Sequence, residues 1–294
     1  MFNRLFGRVT AIGNKYRGLK NNCFWRLVRP YYIKLKVTTN KKVLVPDEQV
    51  ISFYAENAER VNAVARMLAD ERSRKEYLGM IKFRQTHAKG DYPILYCKDT
   101  QYFIDELKPC PGEVFIDCGA FTGDTIYYFL RYNPDYKYIV AFEPDTNNFN
   151  TLKKEYGRYP GVTLINAGAY DKDGEVLFSN KGDYTSRIVG EGDGDGDDYV
   201  RMPVKSIDNL GLEKVSFIKM DIEGAEMNAL KGAEKTILRD KPKLAICIYH
   251  SNEDMIRIAE YVHALVPEYA LYVRRHYHYP QCGETVLYGR PVSS

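Results

Sequence analysis

Several things are missing from this 294-residue chain, and each absence narrows the reading. No apolar run approaches the roughly 20 residues of a membrane span, and no leader pattern of basic, apolar and small residues opens it. The six cysteines (Cys23, Cys97, Cys110, Cys118, Cys247 and Cys282) include no Cys-x-x-Cys pair. That argues against a disulfide frame or zinc ribbon and fits reduced thiols in a cytoplasmic protein. No Gly-x-Gly-x-x-Gly is present, so no loop is shaped for a dinucleotide's pyrophosphate. Residues 1–46 contain no Asp or Glu, and the first 50 contain no serine. The lack of serine weighs against a mitochondrial presequence.

What is present is unevenly distributed. The net charge of +3 conceals a basic arm: residues 1–46 hold eleven Lys or Arg, while the other 248 residues carry 31 bases against 39 acids. Phe24, Trp25, Tyr31 and Tyr32 are interleaved with Arg26, Arg29 and Lys34. This mixture suits peripheral contact with an anionic membrane, or the phosphates of a lipid-linked or nucleotide-linked substrate. An arm packed on its own or a partner subunit fits equally well. Apolar content of 45% is ordinary for a folded protein with room for one large and one smaller domain.

Three regions follow: the arm at 1–46, a helical region at 47–110, and an α/β domain at 111–294 with a hinge at Cys110-Pro111-Gly112. Ile51, Tyr54, Ala58, Val61, Ala65 and Leu68 recur at helical spacing, predicting one long amphipathic helix over 47–69. Its stripe is expected against a helix of the same chain, with a homodimer seam as the other option. A second helix is expected from Ser73, ending before Asp91-Tyr92-Pro93. Gln101-Tyr102-Phe103 lies where it could cover a ligand held by the next strand.

From Val114 strands and helices alternate, which predicts a mostly parallel sheet flanked by helices. Strands are expected at 114–117, 138–142, 162–166, 215–220 and 243–249, and two more, 269–276 and 284–290, with no helix between them must be antiparallel. Two strands around residues 175–204 flank the tract Gly-Asp-Gly-Asp-Gly-Asp-Asp (192–198). A calcium loop would need Glu at its twelfth position, where Met202 or Val204 stands; the tract reads as a solvated tip.

The first strand ends on Asp117 and turns through Gly119, Ala120, Phe121, Thr122 and Gly123 into a helix. Such a turn suits a small polar cofactor, its glycines allowing backbone to come close. Glu143, followed by Pro144, ends the second strand, where a carboxylate is placed to take two ribose hydroxyls; the bland alternative is an acid capping the next helix. The choice lies between a nicotinamide dinucleotide and S-adenosylmethionine, and bulky Phe121 between the glycines favours the second. Asn166 and Asp221, at later strand tips, line the same edge.

The segments Glu-Val-Phe-Ile-Asp-Cys-Gly-Ala-Phe-Thr-Gly-Asp-Thr, Ala-Phe-Glu-Pro-Asp, Lys-Met-Asp-Ile-Glu-Gly-Ala-Glu and Glu-Thr-Val-Leu-Tyr resemble those of FkbM S-adenosylmethionine-dependent methyltransferases over roughly residues 99–290. The resemblance implies a Rossmann-like class I fold of seven strands with a C-terminal antiparallel hairpin. It also implies O-methylation of a small-molecule or glycan hydroxyl, often on a sugar, in polysaccharide or natural-product biosynthesis. Nucleic acid is not expected as a partner, because the Asn/Asp-Pro-Pro-Tyr of nucleobase amino-methylating enzymes is absent after the strand ending at Asp221.

A sugar hydroxyl needs help to lose its proton. His250, at the tip of the strand beside Asp221, is the candidate general base, with Asp221 as its orienter or a cofactor contact; capping the next helix is the rival role for His250. Asp221 with Glu223 could instead hold a divalent metal, although no metal is the leading expectation. Glu223, Arg274, His276 and His278 are candidate acceptor contacts, although edge-strand packing explains the last three equally well. An NAD-dependent oxidoreductase and a non-catalytic scaffold are the alternative functions.

Overall fold

The structure, a computed structural model, describes residues 46–88, 91, 101–179, 199–276 and 283–292. The basic arm, the acidic glycine tract and His278 lie outside these residues. Residues 46–294 form one compact unit.

Three helices open it: α1 Glu48–Glu56, α2 Ala58–Met67 and α3 Glu71–Thr86. The single helix expected over 47–69 is broken at Asn57, whose side-chain amide donates to the Phe53 carbonyl at 2.9 Å. The break changes which residues face inward: Tyr54, Val61, Ala65 and Leu68 are buried, but Ile51 and Ala58 are exposed. α3 begins earlier than Ser73, because Asp70 caps it by accepting from the Ser73 N–H at 2.6 Å.

The sheet then assembles from β1 Val114–Cys118, β2 Tyr138–Phe142, β3 Val162–Ile165, β7 Phe217–Met220, β8 Lys243–Cys247, β9 Tyr269–Arg275 and β10 Thr285–Pro291. Its order is β3-β2-β1-β7-β8-β10-β9. The pairings from β3 to β8 are parallel, and β10 is antiparallel to both β8 and β9. This is the Rossmann-like class I sheet with a terminal hairpin. β1 and β7 are buried throughout and β8 beyond its first residue, as helix cover on both faces requires.

Connecting helices are α4 Asp124–Tyr132, α5 Thr146–Tyr156, α6 Glu226–Lys231, α7 Glu234–Asp240 and α8 Asp254–Leu265. A small second sheet holds β4 Gly168–Ala169, β5 Gly174–Ser179 and β6 Tyr199–Lys205 in the order β4-β6-β5. The opening helices share the core on one sheet face: Tyr54, Val64, Tyr77 and Phe83 cluster with Ile258, Val262, Leu271 and Val273. Arg60 of α2 donates to Glu260 of α8 at 2.6 Å. The hinge expected near residue 110 therefore separates no cores. Among the described residues no helix is long and apolar enough to cross a membrane.

Candidate active site

The carboxyl ends of β1, β2, β7 and β8 meet along one edge, where parallel sheets hold ligands. The chain turns sharply after β1. Gly119 has φ +81°, and a Cβ there would lie 1.9 Å from the Asp221 carbonyl oxygen. Gly123 has φ +91°, and its Cβ would meet the Tyr156 ring at 2.2 Å. Both glycines are therefore required by close approach of this chain's own atoms as well as by backbone angle. Phe121 between them also takes a left-handed angle, φ +50°, and leaves its ring exposed.

Asp117 differs from the expected ligand contact. It is fully buried, with Oδ1 3.0 Å from Lys219 Nζ. The same ammonium donates to the carbonyls of Gly119 at 2.8 Å and Cys118 at 3.2 Å. Asp117 and Lys219 are direct register partners on β1 and β7. Burial works against the charge on Lys219, but Asp117 and Asp221 more than offset it and raise its pKa. The pair pins the turn. Lys219 escaped the sequence reading, although a lysine inside an apolar strand demands an acid on its neighbour.

Glu143, at the tip of β2, is buried. One carboxylate oxygen accepts from the Phe121 N–H at 2.7 Å and the other from the Asp145 N–H at 2.9 Å. Burial raises its pKa, against the pull of those backbone donors. The Asn148 amide also donates to Oε1 at 3.5 Å, so Oε2 is the oxygen that keeps a second lone-pair direction for a hydroxyl. Asn166 donates to the Glu143 carbonyl at 2.8 Å and the Pro144 carbonyl at 3.2 Å, steadying that tip.

Asp221 follows β7. Its carboxylate accepts from the Tyr102 hydroxyl at 2.7 Å and the Tyr249 hydroxyl at 3.1 Å. Burial alone would raise its pKa; Lys219, those hydroxyls and His250 bring it below the ordinary value. His250 lies just beyond β8, its side chain only 4% exposed. Nδ1 is 3.0 Å from Glu226 Oε1, and Nε2 is 3.5 Å from both Asp221 Oδ1 and Glu223 Oε2. Burial opposes its protonation, but Glu226, Asp221 and Glu223 together raise its pKa. Three carboxylates thus favour a proton on the ring. Its ring lies against that of Tyr249, tilted by 40° with the centroids 4.1 Å apart.

Glu284 joins the same edge and carried no assigned role in the sequence reading. It precedes β10 with φ +56°, an angle uncommon for a side chain this large. Its carboxylate accepts from the Gln101 side-chain amide. Burial, and then the charge of Asp221, push its pKa up to about 7.

Two expected acceptor contacts turn inward. Arg274 is buried and donates to Asp70 and Glu106, each at 2.7 Å. His276 is buried with Nε2 2.6 Å from the Tyr288 hydroxyl. Both belong to β9 or its end, which α3 covers, so neither lines an open face. Glu223, in contrast, is exposed at the site.

The profile described as the methyltransferase FkbM domain matches residues 117–277. The chain belongs to the FkbM methyltransferase family. It carries the S-adenosylmethionine-dependent methyltransferase domain of that family, and the nicotinamide alternative falls. A crystal structure of methyltransferase FkbM from Methylobacillus flagellatus is 26% identical with a TM-score of 0.69, covering 82% of this chain. The chain spans 60% of that structure's own length. An rRNA methylase from Streptococcus thermophilus is 14% identical (TM-score 0.40), over 62% of this chain and 89% of its own. A precorrin-6y C5,15-methyltransferase from Geobacter metallireducens is 12% identical (TM-score 0.40), over 64% and 84%. No curated protein matches the sequence.

Proposed function

We propose that this protein transfers the methyl group of S-adenosylmethionine to a hydroxyl oxygen, and that the acceptor is a sugar. The observation that carries the reading is the acid-lined edge of the sheet: Glu143 at the tip of β2, Glu284 near Asp221, and Asp221, Glu223 and Glu226 beside His250. Glu143, Asp221 and Glu284 suit a sulfonium, an ammonium and ribose hydroxyls, and so acidic an edge would repel a diphosphate. Glu143 would take the ribose, Phe121 would offer its exposed ring to the base, and the 119–123 turn would contact the amino-acid end.

When bound, S-adenosylmethionine supplies an electrophilic methyl carbon; transfer makes a C–O bond, breaks the C–S bond and leaves S-adenosylhomocysteine. The residues must align the acceptor oxygen and take its proton. Alignment supplies up to about 7–11 kcal/mol in such displacements. Glu284, poised near neutrality on this edge, is the proton acceptor in this reading. Asp221, fixed by Tyr102 and Tyr249, positions what approaches it. The sugar itself is supported by the family resemblance.

The test is transfer of radiolabelled methyl from S-adenosylmethionine to a panel of sugars and nucleotide-linked sugars. Label in an alkali-stable ether on one of them is expected. Label appearing only as an ester or on nitrogen would contradict the reading.

A further inference from the structure

We propose that Asp221, Glu226 and His250 form a binding site for one divalent cation of the first transition row. The purpose of the site rests on the hydroxyl-methylation reading; the binding itself does not. Each residue offers one ligand atom, and the three atoms lie within 4.8 Å of one another. A cation with nitrogen and oxygen ligands at about 2.0–2.2 Å spans up to about 4.4 Å between opposite donors. Small side-chain rotations therefore close the shell.

A second observation separates this cluster from an ordinary group of acids. His250 is almost wholly enclosed; its Nδ1 lies 3.0 Å from Glu226 Oε1 but off hydrogen-bonding alignment, and its Nε2 has no hydrogen-bond partner. Glu226 is completely buried, and its Oε2 also has no partner. A buried polar atom left in that condition keeps its full desolvation penalty. Three carboxylates face one imidazole, and the nearest ammonium, Lys219, is committed to Asp117 and two carbonyls. A divalent cation would both satisfy the orphaned atoms and neutralise the surplus charge.

The surroundings already orient the ligands. Tyr102 and Tyr249 fix Asp221, and Glu226 Oε1 accepts from the Ile222 N–H at 2.8 Å. Such outer contacts hold metal ligands in place. One imidazole with two carboxylates favours manganese, iron or zinc over magnesium or calcium. Three protein ligands leave positions open for an acceptor hydroxyl, whose proton a bound cation would loosen.

The experiment is titration of EDTA-treated, dialysed protein with Mn2+, followed by electron paramagnetic resonance of the free ion. S-adenosylhomocysteine is titrated calorimetrically in parallel. One Mn2+ per chain is expected, with affinity falling at least about 10-fold in both His250→Gln and Glu226→Gln. S-adenosylhomocysteine binding should persist in both variants, which also reports that they fold. No Mn2+ bound by wild type, or unchanged affinity in both variants, would overturn the proposal. Loss of Mn2+ binding alone leaves the methyltransferase reading intact; absence of S-adenosylhomocysteine binding by wild type strikes that reading instead.

Discussion

At the scale of single residues, the site is a set of acids whose surroundings differ. Asp221 is held ionised by Lys219 and two tyrosine hydroxyls, whereas Glu284, enclosed and facing Asp221, is moved to about 7. A base with that value is protonated and inactive below it. The rate at saturating acceptor should therefore rise as pH increases through about 7. Glu284→Gln should remove this ascending limb and lower kcat at pH 8 by about 100-fold or more; a pH–rate profile decides it, and an unchanged limb excludes Glu284. Glu284 was visible in the sequence only as part of a family-like segment, because no spacing rule reports that a strand's first residue lies beside another strand's last. The same limit hid Glu226, which reads equally well as an acid at the start of its helix.

Elements place these residues, and here the sequence was more informative. Alternating strands, the antiparallel terminal pair and the turn after Asp117 could all be read from pattern. The inward turn of Asp117 could not, since it depends on the register between β1 and β7. That register sets Asp117 opposite Lys219 in the sheet interior. Removing one partner of a buried ion pair costs about 3–5 kcal/mol, because the other charge is stranded. Lys219→Met should therefore destabilise the protein by that order in urea unfolding, whereas Lys243→Met, whose ammonium is less enclosed, should cost less. Equal effects would mean that the Lys219 pair does not hold the turn. For Arg274 and His276 the sequence left acceptor contact and strand packing open, and the cover of β9 by α3 supplies the packing. Asn57 likewise broke a helix that apolar spacing alone would continue.

For the whole molecule, the opening helices and the sheet make one body. α3 supplies Ser73, whose hydroxyl accepts from the Val273 N–H at 3.0 Å, and Glu76, which accepts from the Arg275 N–H at 2.6 Å. A chain beginning at residue 101 would expose Leu271 and Val273 and strand Arg274 without Asp70. Such a truncation should fail to show a cooperative unfolding transition, monitored by circular dichroism. A cooperative transition would restore the boundary near residue 110 that the sequence suggested.

The central claim is that the acid-lined edge holds an adenosyl sulfonium cofactor. Isothermal titration of the full chain with S-adenosylhomocysteine addresses it most directly. The account predicts saturable heat for one site. It also predicts affinity at least about 10-fold weaker in Glu143→Ala, since a hydrogen bond to a charged group contributes about 1.5–3 kcal/mol. Wild-type protein giving no heat, or Glu143→Ala binding as tightly as wild type, would contradict it.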